Sequence, residues 1–190
     1  MNAIDKHLKT LITLIIPIFV FGCATREDFQ RSFIARHVKE GVYTNHIKGF
    51  KLIWPESDVW VFRDYPEFDL SFNHVDGRSQ VLIVGVNRLL RREFPDGFHQ
   101  WILDRLHVIK SEQISRADIP AQVGVQKVRI VTETEFDVGK GQSMGIFRIT
   151  DTLFIRQNRQ WVAVMGICPR DYYEEKKSDF EVFFNSISML

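Results

Sequence analysis

Apolar and polar residues alternate with a period of two along several short segments of the chain, as expected of strands with one buried face. Phe68, Leu70 and Phe72, for example, alternate with polar residues. Residues 80–86 are instead apolar on both faces, which is typical of a central strand. The same kind of pattern predicts three further strands, at residues 42–45, 50–54 and 59–62.

Three longer strand patterns occupy the second half of the chain. Residues 128–136 alternate between apolar or threonine side chains and charged ones, which indicates a half-exposed strand. Glycines at the turn 139–141 lead into a second pattern over 144–155, and the polar turn 156–159 leads into a third over 161–168. Because the connections are short, the three segments predict an antiparallel meander.

Two segments carry apolar residues at helical spacing. The first runs from Phe98 to Leu106 after the turn at 95–97, and the second runs from Phe180 to Ile187. Together with the strands, they predict an α+β fold. We expect an antiparallel sheet of about six to seven strands that ends in the three-stranded meander and is flanked by helices.

The N-terminus combines two basic residues, Lys6 and Lys9, with an apolar run over residues 11–21 that ends at Gly22 and Cys23. The run is about half as long as the ~20 residues that a membrane-spanning helix needs. A basic start, a short apolar run and a small residue at its end are the features of a secretory signal peptide. A signal-anchor helix and a buried apolar element with an incidental cysteine remain as alternatives.

The last four residues of this region, Val20-Phe21-Gly22-Cys23, resemble the bacterial lipobox. In that family the cysteine receives a diacylglycerol, the peptidase cuts before it, and the new amino group is acylated. The resemblance therefore implies cleavage after Gly22 and lipidation of Cys23, and several acyl chains on one residue anchor a protein stably. Ala24 follows the cysteine, which by resemblance to Gram-negative sorting implies the periplasmic face of the outer membrane.

This interpretation divides the chain into three parts. Residues 1–22 are the signal peptide, and residues 23–40 are the lipidated N-terminus and a short tether. Phe29 and Phe33 give that tether one weak apolar face, so a short helix is possible there. Residues 41–190 form a single globular domain, because this length suits one hydrophobic core.

Removal of the signal peptide changes the charge balance of the chain. The full sequence has 25 basic and 24 acidic residues, and 23 of each remain from residue 23 onwards. A net charge of zero leaves no electrostatic footprint for nucleic acid. With Cys23 lipidated, Cys168 has no partner for a disulfide within the chain. Its apolar surroundings in residues 162–168 predict a buried and inert thiol.

Four segments of the predicted domain are similar to PsbP-like domains. They are Tyr43–Asn45 with Gly49–Pro55 in an opening hairpin, Trp161–Ile167 in the last meander strand, and Phe183–Ser188 at the end. The similarity covers about residues 40–188 and rests mainly on the order of the elements. It implies an α/β/α sandwich around an antiparallel sheet and a non-enzymatic binding or assembly role, and it implies no catalytic residues.

The segment Gly141-Gln-Ser143-Met-Gly145 matches the nucleophile elbow of serine hydrolases. That motif requires a strained turn between a strand and a helix, which exposes the serine to a histidine base. Here the segment lies between two strand patterns, and all six histidines precede Ser143, so the serine–acid–histidine order is not met. Its glycines are better explained as hairpin residues.

Two other groups of polar residues are candidates for binding. His74 and Asp76 have the spacing of two ligands on one face of a strand, but a metal site needs at least one more ligand. A polar strand end that enters the Asp-Gly turn is the simpler interpretation. Arg88, Arg91 and Arg92 form the densest basic cluster, which suits lipid phosphates or an acidic partner, although a solvated surface is the default.

Two functional hypotheses follow. The first is a membrane-anchored exported lipoprotein with a non-enzymatic binding or assembly role, whose partner is an unidentified protein or ligand of the cell envelope. The second is an envelope hydrolase or metal-dependent enzyme with an unrecognised site, where His, Asp or Ser side chains would converge in a pocket. The sequence favours the first hypothesis, and it predicts no cofactor, no metal and no catalytic residue.

Overall fold

The computed structural model describes residues 26–87, 93–136 and 146–190, with the backbone alone for residues 26–30. The chain divides into two compact units, one that ends at Lys39 and one that spans Glu40–Leu190. The first contains helix α1 (Arg26–His37) and the two-residue strand β1 (Val38–Lys39). Within the described residues, no helix combines the length and the apolar character needed to cross a membrane.

Within the described residues, the second unit contains ten strands and two α-helices. In chain order they are β2 (Val42–Asn45), β3 (Phe50–Ile53), β4 (Trp60–Arg63), β5 (Leu70–His74), β6 (Gln80–Asn87), α2 (Asp96–Arg105), β7 (Val108–Ile119), β8 (Val125–Phe136), β9 (Ile146–Gln157), β10 (Gln160–Pro169), α3 (Tyr173–Ser186) and β11 (Ile187–Met189). A short 3-10 helix, Arg170–Tyr172, connects β10 to α3.

Seven of these strands form one large sheet in the order β4-β5-β6-β10-β9-β8-β7. Every neighbouring pair is antiparallel, so the predicted fold class and the β8–β9–β10 meander are confirmed. The sequence pattern did not predict β7. This strand lies at the edge and is exposed at almost every position, so it has no buried face and no alternating pattern.

Three strands of the same unit, β2, β3 and β11, form a second antiparallel sheet that the sequence did not predict. Its last strand also corrects the C-terminal helix, which was expected to reach Ile187. The helix ends at Ser186, because Ile187–Met189 pairs with Leu52–Phe50 of β3 and gains backbone hydrogen bonds there.

The central strands of the large sheet, β6, β10 and β9, are buried on both faces. On one face α2 contributes Phe98 and Ile102 to a core that includes Phe154 and Trp161. On the other face α3 packs Phe180, Phe183 and Phe184, all buried, and Phe50 of β3 lies against β6 at Gly85. Helix α3 approaches β10 closely where Gly166 has no side chain, since an added Cβ would lie 2.4 Å from Cγ of Phe180.

His99 is a polar residue of α2 that is buried against the large sheet. It is 9% exposed, its ring centroid lies 5.3 Å from that of Phe154, and its Nε2 has no hydrogen-bond partner among the described residues. Burial lowers the pKa of this imidazole from its ordinary value of 6.5 to about 4, and the charge of Asp96 opposes the shift only in part. His99 is therefore neutral in the folded protein at pH 7.

We predict that His99 makes folding sensitive to mild acid. Since the pKa is lower in the folded state, the unfolded chain binds more protons below pH 6.5, and stability falls as the pH drops from 6.5 towards 4. His99 alone should remove about 2 kcal/mol of unfolding free energy between pH 7 and pH 5.

Urea unfolding at the two pH values measures this loss. His99→Leu should show a pH dependence smaller by that amount, whereas His46→Gln, which changes an exposed histidine of the β2–β3 turn, should retain the wild-type difference. Equal pH dependence in wild type and His99→Leu would contradict the prediction.

Candidate functional site

Several sequence-predicted site residues lie outside the described part of the chain. They are Gly22 and Cys23 at the predicted processing site, Arg88, Arg91 and Arg92 in the basic cluster, and the Gly141–Gly145 segment that contains Ser143. The predictions that rest on them stay predictions. Of the described candidates, His74, Asp76 and Cys168 can be placed.

His74 and Asp76 lie at the end of β5 and in the turn that follows, and their side chains meet. Nδ1 of His74 is 3.0 Å from Oδ2 of Asp76, and the backbone N–H of Arg78 donates to Oδ1 of the same carboxylate at 2.8 Å. Nε2 of His74 faces Nζ of Lys176 in α3 at 3.4 Å. The contact with Lys176 could not be predicted, because 102 residues separate the two positions.

Lys176 is buried among carboxylates. Its Nζ lies 3.3 Å from Glu175, 3.6 Å from Asp76 and 3.8 Å from Asp179. Burial alone lowers the pKa of this lysine, but the hydrogen bond that it donates to Glu175 and the three negative charges outweigh this effect, so the net shift of the pKa is upward. Lys176 therefore stays charged, and its contact with Asp76 connects α3 to the β5–β6 turn.

His74, Asp76 and Lys176 are residue types that also occur in catalytic sites, but their side chains are not arranged as in such a site. Burial raises the pKa of the Asp76 carboxyl. The hydrogen bonds from Arg78 and His74 and the charges of His74 and Lys176 lower this pKa by more, so the net shift is downward and the carboxyl stays ionised. Among the described residues, no three His, Cys, Asp or Glu side chains are placed to hold a metal ion. Neither His74 nor Asp76 lines the cavities described below.

A second polar cluster surrounds Asp151, which has no exposed surface in the middle of β9. Arg129 of β8 binds both oxygens of this carboxylate, from Nε at 2.8 Å and from Nη2 at 2.7 Å. Tyr173 of α3 donates its hydroxyl to Oδ2 at 2.8 Å, and Nη1 of Arg129 also donates to Glu181. The cluster thus joins two strands to α3.

The pKa directions in this cluster follow from its contacts. The hydrogen bond to Asp151 raises the pKa of Arg129 despite its burial. Burial and the Asp151 charge raise the pKa of Tyr173. The cluster was not predicted from the sequence, although a lone aspartate inside the largely apolar stretch 149–155 was a signal for it.

Cys168 is buried and free, as the sequence predicts. Burial raises the pKa of its thiol to about 12, and the charges of Arg148 and Lys176 offset this only in part. At neutral pH the sulfur is therefore a thiol and not a nucleophilic thiolate.

A third polar cluster joins the two sheets. Asp69 accepts hydrogen bonds from Nζ of Lys48 at 2.9 Å, from the backbone N–H of Gly85 at 2.7 Å and from the amide of Asn45 at 3.3 Å. These groups belong to the β2–β3 hairpin and to the β5–β6 region. Asp69 therefore ties the small sheet to the large one.

A cavity of about 310 Å³ lies beside the β5–β6 turn, and both polar and apolar residues line it. Its polar lining consists of Asn73, Arg78, Ser79, Gln80 and Arg148. Oγ of Ser79 and Oδ1 of Asn73 are buried and have no hydrogen-bond partner among the described residues. We call this the turn cavity. A larger cavity of about 480 Å³, between the β7–β8 turn and β11, has Lys127 as its single charged lining residue within the described chain.

Comparisons with solved structures identify relatives in fold. The solution structure of cyanobacterial PsbP (CyanoP) from Synechocystis sp. PCC 6803 is 14% identical, with a TM-score of 0.53, over 80% of this chain and 95% of that one. The Ran-binding protein Mog1p of Saccharomyces cerevisiae is 7% identical, with a TM-score of 0.51, over 78% and 94%. No family model matches the sequence, and no curated protein has significant similarity to it. The predicted PsbP-like fold is therefore confirmed at the level of architecture.

We predict that Arg129 is essential for stability. Arg129→Met would leave the Asp151 carboxylate buried and unpaired, so the free energy of unfolding should fall by about 3–5 kcal/mol. Arg170→Met is the matched control, because it removes an arginine that is 71% exposed from its ion pair with Glu133. Such a surface pair should contribute less than about 1 kcal/mol. Urea unfolding of both variants measures the difference, and equal losses would contradict the structural role of Arg129.

Proposed function

We propose that this chain is an exported, lipid-anchored protein whose globular domain binds another component of the cell envelope and does not transform a substrate. The anchor rests on the N-terminal sequence, and the binding role rests on the turn cavity and on the fold. Mog1p, with a similar architecture, is a Ran-binding protein, so the fold serves protein binding elsewhere.

The observation that carries the binding role is the chemistry of the turn cavity. Its charged lining residues within the described chain are Arg78 and Arg148. A guanidinium keeps its proton at any physiological pH, so it binds anions well but does not exchange protons as a general acid or base. The buried ionisable groups of the Asp151 and Lys176 clusters instead satisfy one another inside the fold.

The proposed anchor places the domain at a membrane surface. Lys6, Lys9 and the apolar run 11–21 serve as the export signal, and Cys23 takes the acyl chains. Two residues separate Cys23 from the start of α1 at Arg26. The lipid is therefore followed almost directly by folded chain, without a long flexible tether.

Lipidation is tested by metabolic labelling with a radioactive fatty acid in a bacterial host. The wild type should incorporate the label, Cys23→Ser should not, and Cys168→Ala should behave as the wild type because its thiol is buried. Intact mass should correspond to a chain that starts at Cys23 and carries its acyl groups. Label in Cys23→Ser, or a wild-type mass that retains residues 1–22, would contradict the anchor.

Binding is tested by photo-crosslinking in living cells. A photoreactive residue at Ile146, which is 43% exposed at the rim of the turn cavity, should yield one defined adduct. The same group at Val182 on α3, which is 58% exposed, is the matched control and should not yield that adduct. Arg148→Gln should abolish the adduct. The proposed role fails if both positions give the same products or if neither gives any.

A further inference from the structure

The turn cavity contains two positive charges, on Arg78 and Arg148, that have no carboxylate partner among the described residues. Nη1 of Arg148 donates to the backbone oxygen of Arg78 at 3.1 Å, and the guanidinium carbon of Arg78 lies 4.7 Å from the ring centroid of Tyr172. These contacts orient the two side chains but do not neutralise them. Arg129 and Arg170, in contrast, pair with carboxylates within the described residues.

A buried hydroxyl lies next to these charges. Ser79 is 3% exposed and lines the cavity, and its Oγ has no hydrogen-bond partner among the described residues. Buried polar groups are normally paired, so an unpaired hydroxyl in a cavity wall indicates a missing partner. A hydroxyl can donate its proton to a negatively charged oxygen. Ser79 and the two arginines thus all present hydrogen-bond donors that suit a negatively charged oxygen.

The cavity wall also has an apolar part, beside the polar side chains of Asn73 and Gln80. Leu106, Phe136, Ile146 and Ile167 line the cavity, and no Asp or Glu does so within the described residues. A volume of about 310 Å³ lies at the lower end of the range for small-molecule sites. A space of this size accommodates one short chain and not the two long chains of a membrane lipid.

We propose that the turn cavity binds a small amphipathic anion. Its carboxylate or phosphate group contacts Arg78, Arg148 and the Ser79 hydroxyl, and its short apolar part lies against Phe136 and Ile146. Arginine and hydroxyl donors form short, strong hydrogen bonds with both kinds of oxyanion. The inference deepens the proposed function, on which it rests, because it names the ligand chemistry of the same cavity.

Calorimetric titration of the full chain in zwitterionic nanodiscs tests the inference, with empty nanodiscs as the blank. Hexanoate and hexyl phosphate are the anionic probes, and hexylammonium has the same chain with the opposite charge. We expect saturable binding of at least one anion and none of hexylammonium. Binding of hexylammonium as tight as that of the anions, or of none of the three probes, would overturn the proposal.

Substitutions test whether the anion binds in the turn cavity. Arg148→Gln and Arg78→Gln should each weaken anion binding about tenfold or more, and Ser79→Ala about threefold to tenfold. Arg159→Gln, an exposed arginine beyond the opposite end of β9, should leave it unchanged. Arg78 is exposed on the turn, so its replacement tests the site even if Arg148→Gln fails to fold. Equal effects of Arg78→Gln and Arg159→Gln would overturn the assignment.

The two proposals can fail separately. Anion binding with the expected variant effects, but no adduct from Ile146 in cells, would leave this inference standing and contradict the proposed function. A specific adduct from Ile146 without any anion binding would leave the binding role standing and overturn the ligand chemistry. Binding to phosphatidylglycerol nanodiscs that depends on Arg148, without binding of the free anions, would likewise overturn the small-molecule ligand.

Discussion

The carboxylate of Asp151 is fully buried in the large sheet, and much of the structure follows from its need for partners. A buried charge without them would destabilise the fold by several kcal/mol. Arg129 supplies the counter-charge and Tyr173 a further hydrogen bond, so the start of α3 is fixed over β8 and β9. Lys176, three residues further along α3, then contacts Asp76. The turn that carries Arg78 and Ser79 is therefore positioned by a chain of contacts that begins at Asp151.

The sequence predicted the elements whose side chains have a buried face. β5 and β8 were predicted because their apolar residues alternate with polar ones, and β6 because it is apolar on both faces. The other meander strands were predicted from their extended patterns between turns, and α2 and α3 because their apolar residues recur with the period of a helix. β7 and β11 were missed for a physical reason. Their positions depend on backbone hydrogen bonds to β8 and β3, and a backbone hydrogen bond leaves no pattern in the side chains.

The polar sites were less predictable than the fold. His74 and Asp76 are two residues apart, so their proximity could be expected, but Lys176 reaches them across 102 residues. Arg129 and Glu181 are 52 residues apart, and Arg78 and Arg148 are 70 apart. Contacts over such separations depend on strand order, which no local motif specifies. The prediction of lipidation at Cys23 needs no such contact, because it rests on one short segment, and it stays a prediction.

The pairing of β7 with β8 is interrupted by two β-bulges, and these affect how one copy of the protein can pair with another. β7 is a twelve-residue edge strand among the described residues, and an edge strand is a template for pairing with another chain. Ile109 and Ile114 are extra residues without a partner in β8, so the regular spacing of donors and acceptors is interrupted twice. A neighbouring copy finds no uninterrupted ladder to join. At high local concentration, the interrupted strand would thus disfavour ribbons of stacked sheets.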